Sequence, residues 1–238
     1  GNMKFVVEGS TYPLRPYDTI IIRDNEMHDI YPTGPADYER IVINISHDFF
    51  EKNNCKMYKN IFLNRPAGKN NLIPGGLVSV SEIADILPRI EKYEKEQTPA
   101  CDTVKKCAMV EILHALNHMQ PAADADSKPN STVRKVIDYI NQNLDGDLSL
   151  GHLSEQFFVS KYHLCRVFRE HTGYTISSYI TNKRLLLIRD LCRSGETISS
   201  ACVSAGFSGY SSFYKAYTKA YGCSPKVGLS QADKKHPF

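Results

Sequence analysis

Hydrophobic and polar positions between residues 150 and 222 follow one pattern written twice. Leu150, Leu153, Phe157 and Val159 match Ile198, Ala201, Ala205 and Phe207 at a spacing of 48. Leu164, Phe168 and Gly173 match Phe213, Tyr217 and Gly222 at a spacing of 49, which puts a one-residue insertion at Gly209. Each copy predicts a short amphipathic helix, a tight turn opening with Ser, and a second amphipathic helix. That is the layout of a helix-turn-helix, with units at about 149–173 and 197–222.

The local signals agree with the repeat. In the first unit, Ser149 caps a helix running to about Phe157, Phe158-Val159-Ser160 turns, and Ser160 caps the second helix. Leu164, Val167 and Phe168 sit at i, i+3, i+4 and define its inner face. In the second unit, Thr197 caps Ile198–Ala205, Gly206 makes the turn, and Phe207 packs inward. Ser208 opens the next helix, with Phe213, Ala216 and Tyr217 inside. Between the units, Ser178–Arg193 has Ile180, Leu185, Ile188 and Leu191 at helical spacing and reads as a connector.

Upstream the periodicity changes. Phe5–Val7, Thr19–Ile22 and Arg40–Ile45 are short apolar or β-branched runs separated by turn formers at 8–10, 23–25 and 32–35, so strands forming a sheet or a barrel fragment are expected. Residues 81–119 return to helical spacing. Ile83, Ile86, Leu87, Ile90 and Tyr93 form one stripe, with Pro88 inside it, and Val104, Cys107, Ala108 and Leu116 form another after the break at Thr98-Pro99. Two such helices serve equally as a core within the chain or as a dimer interface. Residues 121–131 carry no apolar period and read as a linker. Thr132 then caps a helix over Val133–Asn143. The fold expected is α+β: residues 1–120 as a partial β-barrel with helices, then an all-α domain over 132–238.

Charge divides the chain at the same place. Residues 131–238 hold 14 Lys/Arg against 8 Asp/Glu, a net of +6, and the remaining 15 and 18 give −3. The basic half is the half with the repeat, which favours a polyanionic partner. No apolar run approaches the ~18 residues of a transmembrane helix, and GNMKFVVEGS lacks the basic-then-apolar plan of a secretory signal. Seven cysteines, an odd number without a CxxC pair, point to reduced thiols in a cytoplasmic protein and away from a disulfide framework or a structural zinc site.

The outer faces of the two second helices are the candidate chemistry. On the first, Tyr162, Cys165 and Arg166 lie in the N-terminal half that meets base edges in a major groove, and Arg166 fits guanine bidentately. Lys161 and Arg169 are placed for phosphates. On the second, Tyr210, Ser211, Tyr214, Lys215 and Lys219 are richer in hydroxyls and imply softer base reading with more phosphate contact. A connector of this length holds the two units near the ~34 Å pitch of successive major-groove entries, or else bends the DNA. The partner expected from these faces is double-stranded DNA. His28 and His47 are the only histidines before residue 100 and cannot complete a three-ligand metal site, so no metal is expected and His28 reads as a hydrogen-bonded residue. No phosphate-binding glycine loop, zinc-protease helix or nucleophile elbow occurs, so no enzyme is expected.

Residues 132–227 resemble the DNA-binding domain of the AraC/XylS family of bacterial transcription regulators. The likeness is carried by LSLGHLSEQFFVSKYHLCRVFREHTG, YITNKRLLLIRDLC and ISSACVSAGFSGYSSFYKAYTKAYGCSP, above all by I-x-x-x-A-x-x-x-G-F-S at Ile198–Ser208 and G-x-x-P at Gly222–Pro225. It implies two helices reading adjacent major grooves through Lys161, Tyr162, Cys165, Arg166, Tyr210, Ser211, Tyr214 and Lys215. The connector departs from the family at Ile188, where a small residue is usual, and at Cys192, where Leu is. YPLRPYDTIIIRDNEMHDIY resembles the second half of a cupin sensor domain, with Tyr17 where Gly is usual and Asp24-Asn25 where Pro-Gly is. Tyr38–Phe50 fits the strand and helix start that follow. The earlier cupin strands are absent, which leaves a cut chain, a misassigned start or a reduced sensor. The resemblance implies a regulator with a small-molecule effector, no cofactor, a homodimer through about 81–119, and RNA polymerase as a candidate partner. Two other readings stay open, a ligand-independent DNA-binding dimer and a metal-dependent cupin enzyme.

Overall fold

The computed structural model describes residues 3–34, 38–96, 98–119 and 131–230. They form two compact units. Among these, the first comprises residues 3–7, 11–23, 30–34, 38–96 and 98–119, and the second comprises 8–10, 24–29 and 131–230.

Most strand residues belong to the first unit: β1 (Met3–Val7) is flanked by β2 (Ser10–Leu14) and β4 (His28–Pro32), while β3 (Thr19–Ile20) pairs antiparallel with β5 (Leu72–Ile73). Phe5, Val7, Tyr12 and Leu72 bury together, and the Tyr12 hydroxyl donates to the Gly68 carbonyl at 2.8 Å. Short helices α1 (His47–Lys52), α2 (Asn60–Leu63) and α3 (Gly75–Ser79) precede a helical pair, α4 (Glu82–Glu96) and α5 (Pro99–His118). Thr98 caps α5 by accepting from the Cys101 amide at 3.2 Å, with Pro99 next to it where its missing N–H costs nothing. Ile83 and Ile86 of α4 bury against Ala108, Ile112 and Leu116 of α5. The apolar stripes of the two helices therefore cover each other within the chain.

Of the sheet or barrel fragment expected over the first residues, small sheets are present. Among the described residues the strands form one three-stranded and one two-stranded sheet, and no barrel closes. Arg40–Ile45, expected as a strand, has no regular secondary structure and lies outside both sheets, with Ile41 63% exposed. β-Branched composition favours a pleated, half-buried surface and cannot supply the partner strand. The helix start expected after it is present as α1. Tyr17, standing where the cupin pattern has Gly, does hold the left-handed turn such a residue would, at φ 65°. Asp18 braces that turn, accepting from the amides of Arg15 at 2.8 Å and Gly75 at 2.7 Å.

The second unit contains α6 (Ser131–Gln142), α7 (Leu150–Gln156), α8 (Lys161–Thr172), α9 (Ile176–Arg193), α10 (Ile198–Ser204), α11 (Tyr210–Tyr221) and α12 (Pro225–Ser230). The linker expected at 121–131 lies outside the described residues up to 130. Helix α6 begins at Ser131, so Thr132 stands inside the helix instead of capping it. Val133, Val136, Ile137 and Ile140 of α6 bury with Leu153, Leu164, Phe168, Tyr179 and Met27. A second cluster joins Leu185 and Ile188 of α9 to Ala201, Phe213 and Tyr217. Ile188, the departure from the family pattern, is fully buried there. No helix among the described residues is long and apolar enough to cross a membrane.

Candidate nucleic-acid interface

Helix α8 is aimed by its caps and its core. Ser149 accepts from the His152 amide at 3.2 Å at the start of α7, and Asp147 holds that serine through its amide at 2.8 Å and its hydroxyl at 3.2 Å. Those bonds, the backbone one first, keep the Asp147 carboxyl below its ordinary 3.8. The turn passes through Phe158 at φ 53°, with its ring 96% exposed, and Ser160 then accepts from the His163 amide at 3.3 Å. Leu164, Val167 and Phe168 fix the buried face. The opposite face therefore projects outward, and Lys161, Tyr162, Cys165, Arg166 and Arg169 are all exposed. Arg166 is already engaged: its Nη1 donates to both carboxylate oxygens of Glu170, at 2.9 and 3.2 Å.

Helix α11 repeats this with one difference. Gly209, the inserted residue, takes the N-cap position that sequence reading assigned to Ser208. Ser208 lies one residue earlier, with its hydroxyl 3.2 Å from that of Ser212. Phe213 packs against Phe207 and Tyr217 with ring centroids 5.7 and 5.6 Å away. Burial, with smaller contributions from Tyr221 and Cys223, pushes the Tyr217 hydroxyl up to about 12, so it stays neutral in the core. Tyr210, Ser211, Tyr214, Lys215 and Lys219 are exposed on the outer face. This helix, YSSFYKAYTKAY, has no carboxylate.

Helix α9 joins the two units. Its 18 residues span about 27 Å at 1.5 Å per residue, and it packs against α8, α10 and α11. Arg184 ties it to the segment after α6, donating to the Leu144 carbonyl at 2.8 Å and the Gly146 carbonyl at 3.1 Å. Gly206, at φ 80°, lets the second turn approach that same segment: a Cβ there would overlap the Leu144 carbonyl and lie 2.8 Å from Asp145 Cα.

Residues 8–10 and 24–29 belong to this unit through a buried polar cluster. The Glu8 side chain is fully buried, and it accepts from Lys183 Nζ at 3.0 Å, the Met27 amide at 2.7 Å and the Tyr179 hydroxyl. Lys183 also donates to the Asn25 carbonyl at 2.7 Å. Burial, reinforced by the Glu8 carboxylate, holds the Tyr179 hydroxyl well above its ordinary value. Arg193 pairs with Asp24 at 2.9 Å, and the Tyr174 hydroxyl donates to the His28 carbonyl at 3.1 Å. The His28 ring lies 2.9 Å from the Glu26 carbonyl oxygen. Among the described residues no three His, Cys, Asp or Glu side chains group as metal ligands.

Sequence reading brought all ten candidate residues to the outer faces of α8 and α11. It missed Glu170, whose signal was its i+4 spacing from Arg166. It also missed the Glu8–Lys183 pair, since partners 175 residues apart leave no local pattern.

Two helix-turn-helix units on a shared connecting helix define a tandem DNA-binding architecture. A family model described as a helix-turn-helix domain matches residues 153–229. The chain is 30% identical over 95 residues to the multiple antibiotic resistance protein MarA of Escherichia coli K12, covering 40% of this chain and 75% of that protein. It is 27% identical over 110 residues to the regulatory protein PocR of Salmonella typhimurium, covering 45% of this chain and 36% of PocR. The C-terminal domain of AraT, a response regulator from Geobacillus stearothermophilus, aligns with a TM-score of 0.43 at 23% identity, over 47% of this chain and 93% of that one. The chain belongs to the AraC/XylS family of bacterial transcription regulators. Its match spans about a third of the length of PocR.

Proposed function

We propose that this chain binds double-stranded DNA by sequence and regulates transcription in the cytoplasm, with no enzymatic activity. The carrying observation is that α8 and α11 each bury one face and leave outward the residues suited to a major groove, on one connecting helix. Tyr162, Cys165 and Arg166 meet base edges, and Lys161 and Arg169 meet phosphates. On α11, Tyr210, Ser211 and Tyr214 supply hydroxyls and apolar contact to thymine methyls, while Lys215 and Lys219 supply charge. The first unit responds to a small-molecule effector and a homodimer occupies two half-sites, as the family resemblance implies. RNA polymerase is the partner through which regulation acts. The stripes of α4 and α5 are spent on each other, so a dimer through these helices uses their outer surfaces.

Binding to a selected duplex and a random duplex over a salt series tests the assignment. Arg166→Ala is expected to weaken the selected duplex by about 1–3 kcal/mol and the random one far less. Lys219→Ala is expected to weaken both alike and to reduce the slope of log K against log salt by about 0.9. Equal losses for Arg166→Ala, or an unchanged slope for Lys219→Ala, would remove those residues from their roles.

A further inference from the structure

We propose that Glu170 is a positioning residue for base reading: it presets Arg166 and keeps that guanidinium off the phosphate backbone. The inference rests on the base-reading role of α8. Both Glu170 oxygens accept from a single nitrogen, Nη1, at 2.9 and 3.2 Å. Arg166 Nη2 and Nε keep their hydrogens for another acceptor. The pair lines an open groove of ≈ 540 Å³ together with Tyr162, Cys165 and Arg169. The carboxylate therefore stands on the surface that α8 offers to DNA, where a negative charge repels phosphates. An exposed i,i+4 pair adds little to helix stability, so its consequence lies in which rotamer Arg166 presents.

Comparison of the two units supports this. At the spacing of 49, Arg166 corresponds to Lys215 and Glu170 to Lys219. Glu170 is the only carboxylate in α8, and α11 has none. At these two positions the second helix thus carries two exposed cations with no acid beside them on the helix, where the first carries one cation held by an acid. A long free cation follows phosphates of any sequence, whereas a held arginine meets one donor–acceptor pattern in the groove. Glu170 makes the first unit the discriminating one.

The full chain is titrated with a duplex it has itself selected from a random pool and with an unselected random duplex. Glu170→Gln is expected to bind random duplex more tightly, to lower the ratio of selected to random affinity about ten-fold, and to steepen the random-duplex salt slope by about 0.9. Glu170→Asp keeps the charge and loses the reach. It is expected to lower the ratio and leave the slope unchanged. In an Arg166→Ala background, Glu170→Gln is expected to leave the ratio where Arg166→Ala alone put it. An unchanged ratio for Glu170→Gln or Glu170→Asp, or a ratio change that persists without Arg166, overturns the inference while the DNA-reading function stands. A wild-type chain that cannot tell selected from random duplex overturns both.

Discussion

Replacing Lys183 by Met separates a buried ion pair from ordinary packing. Glu8 has no solvent exposure and Lys183 only 9%. The substitution keeps most of the side chain's volume, removes the 3.0 Å contact with Glu8, and leaves the Asn25 carbonyl without the donor that stands at 2.7 Å. Removing one partner of a buried pair costs about 3–5 kcal/mol, because the other charge stays desolvated. Glu8 would retain two donors, the Met27 amide and the Tyr179 hydroxyl, which points to the lower end, about 3 kcal/mol. Against a total of roughly 5–15 kcal/mol for a domain, that is a large fraction. The assay is urea unfolding followed by circular dichroism at neutral pH, with Glu8→Leu and the double variant completing the cycle. The double variant is expected to be more stable than Lys183→Met, since it no longer buries a lone carboxylate. A Lys183→Met variant within about 1 kcal/mol of wild type would mean that water reaches Glu8, and would refute the reasoning.

Three further outcomes follow from backbone and cap geometry. Phe158→Gly should raise stability by about 0.5–1 kcal/mol, because the left-handed turn strains a bulky residue whose ring, 96% exposed, contributes no burial; a loss of stability in thermal unfolding would contradict this. Gly206→Ala should cost about 3 kcal/mol, through both the positive φ and the overlap with the Leu144 carbonyl; a neutral result in the same assay would show that the second turn and the segment after α6 are not in contact. Asp147→Asn should destabilise the chain at neutral pH but not in acid. The folded carboxyl titrates below 3.8, so its contribution is complete above that value and fades as pH falls through the folded value. A difference between variant and wild type that does not shrink in acid would remove the carboxylate from the Ser149 cap.

The second unit was legible because its rules are local. Ser149, Ser160 and Thr197 each cap the helix that sequence reading assigned to them, and one inner face per helix followed from i, i+3, i+4 spacing. The exceptions are instructive. Gly209 displaced Ser208 from the cap because the inserted residue falls between the serine and the helix, a shift hydrophobic spacing alone cannot resolve. Phe158 occupies the left-handed position that Gly206 fills in the other copy, and nothing in its residue type announces this. In the first unit, Arg40–Ile45 has strand composition without a partner, and pairing is a property of two segments. Glu8 reads as part of a hairpin turn. Its burial depends on Lys183 and Tyr179, which no window of neighbouring residues contains.

The central claim is that α8 and α11 both read DNA, one groove entry apart. Selection of bound duplexes from a random-sequence pool at about 0.15 M salt tests it most directly, because specific and non-specific affinities separate there. The account predicts enrichment of a bipartite motif whose halves are centred about 10 base pairs apart, with the sharper half assigned to α8 by its loss in Arg166→Ala. No enrichment, with binding that disappears as salt rises, would contradict it.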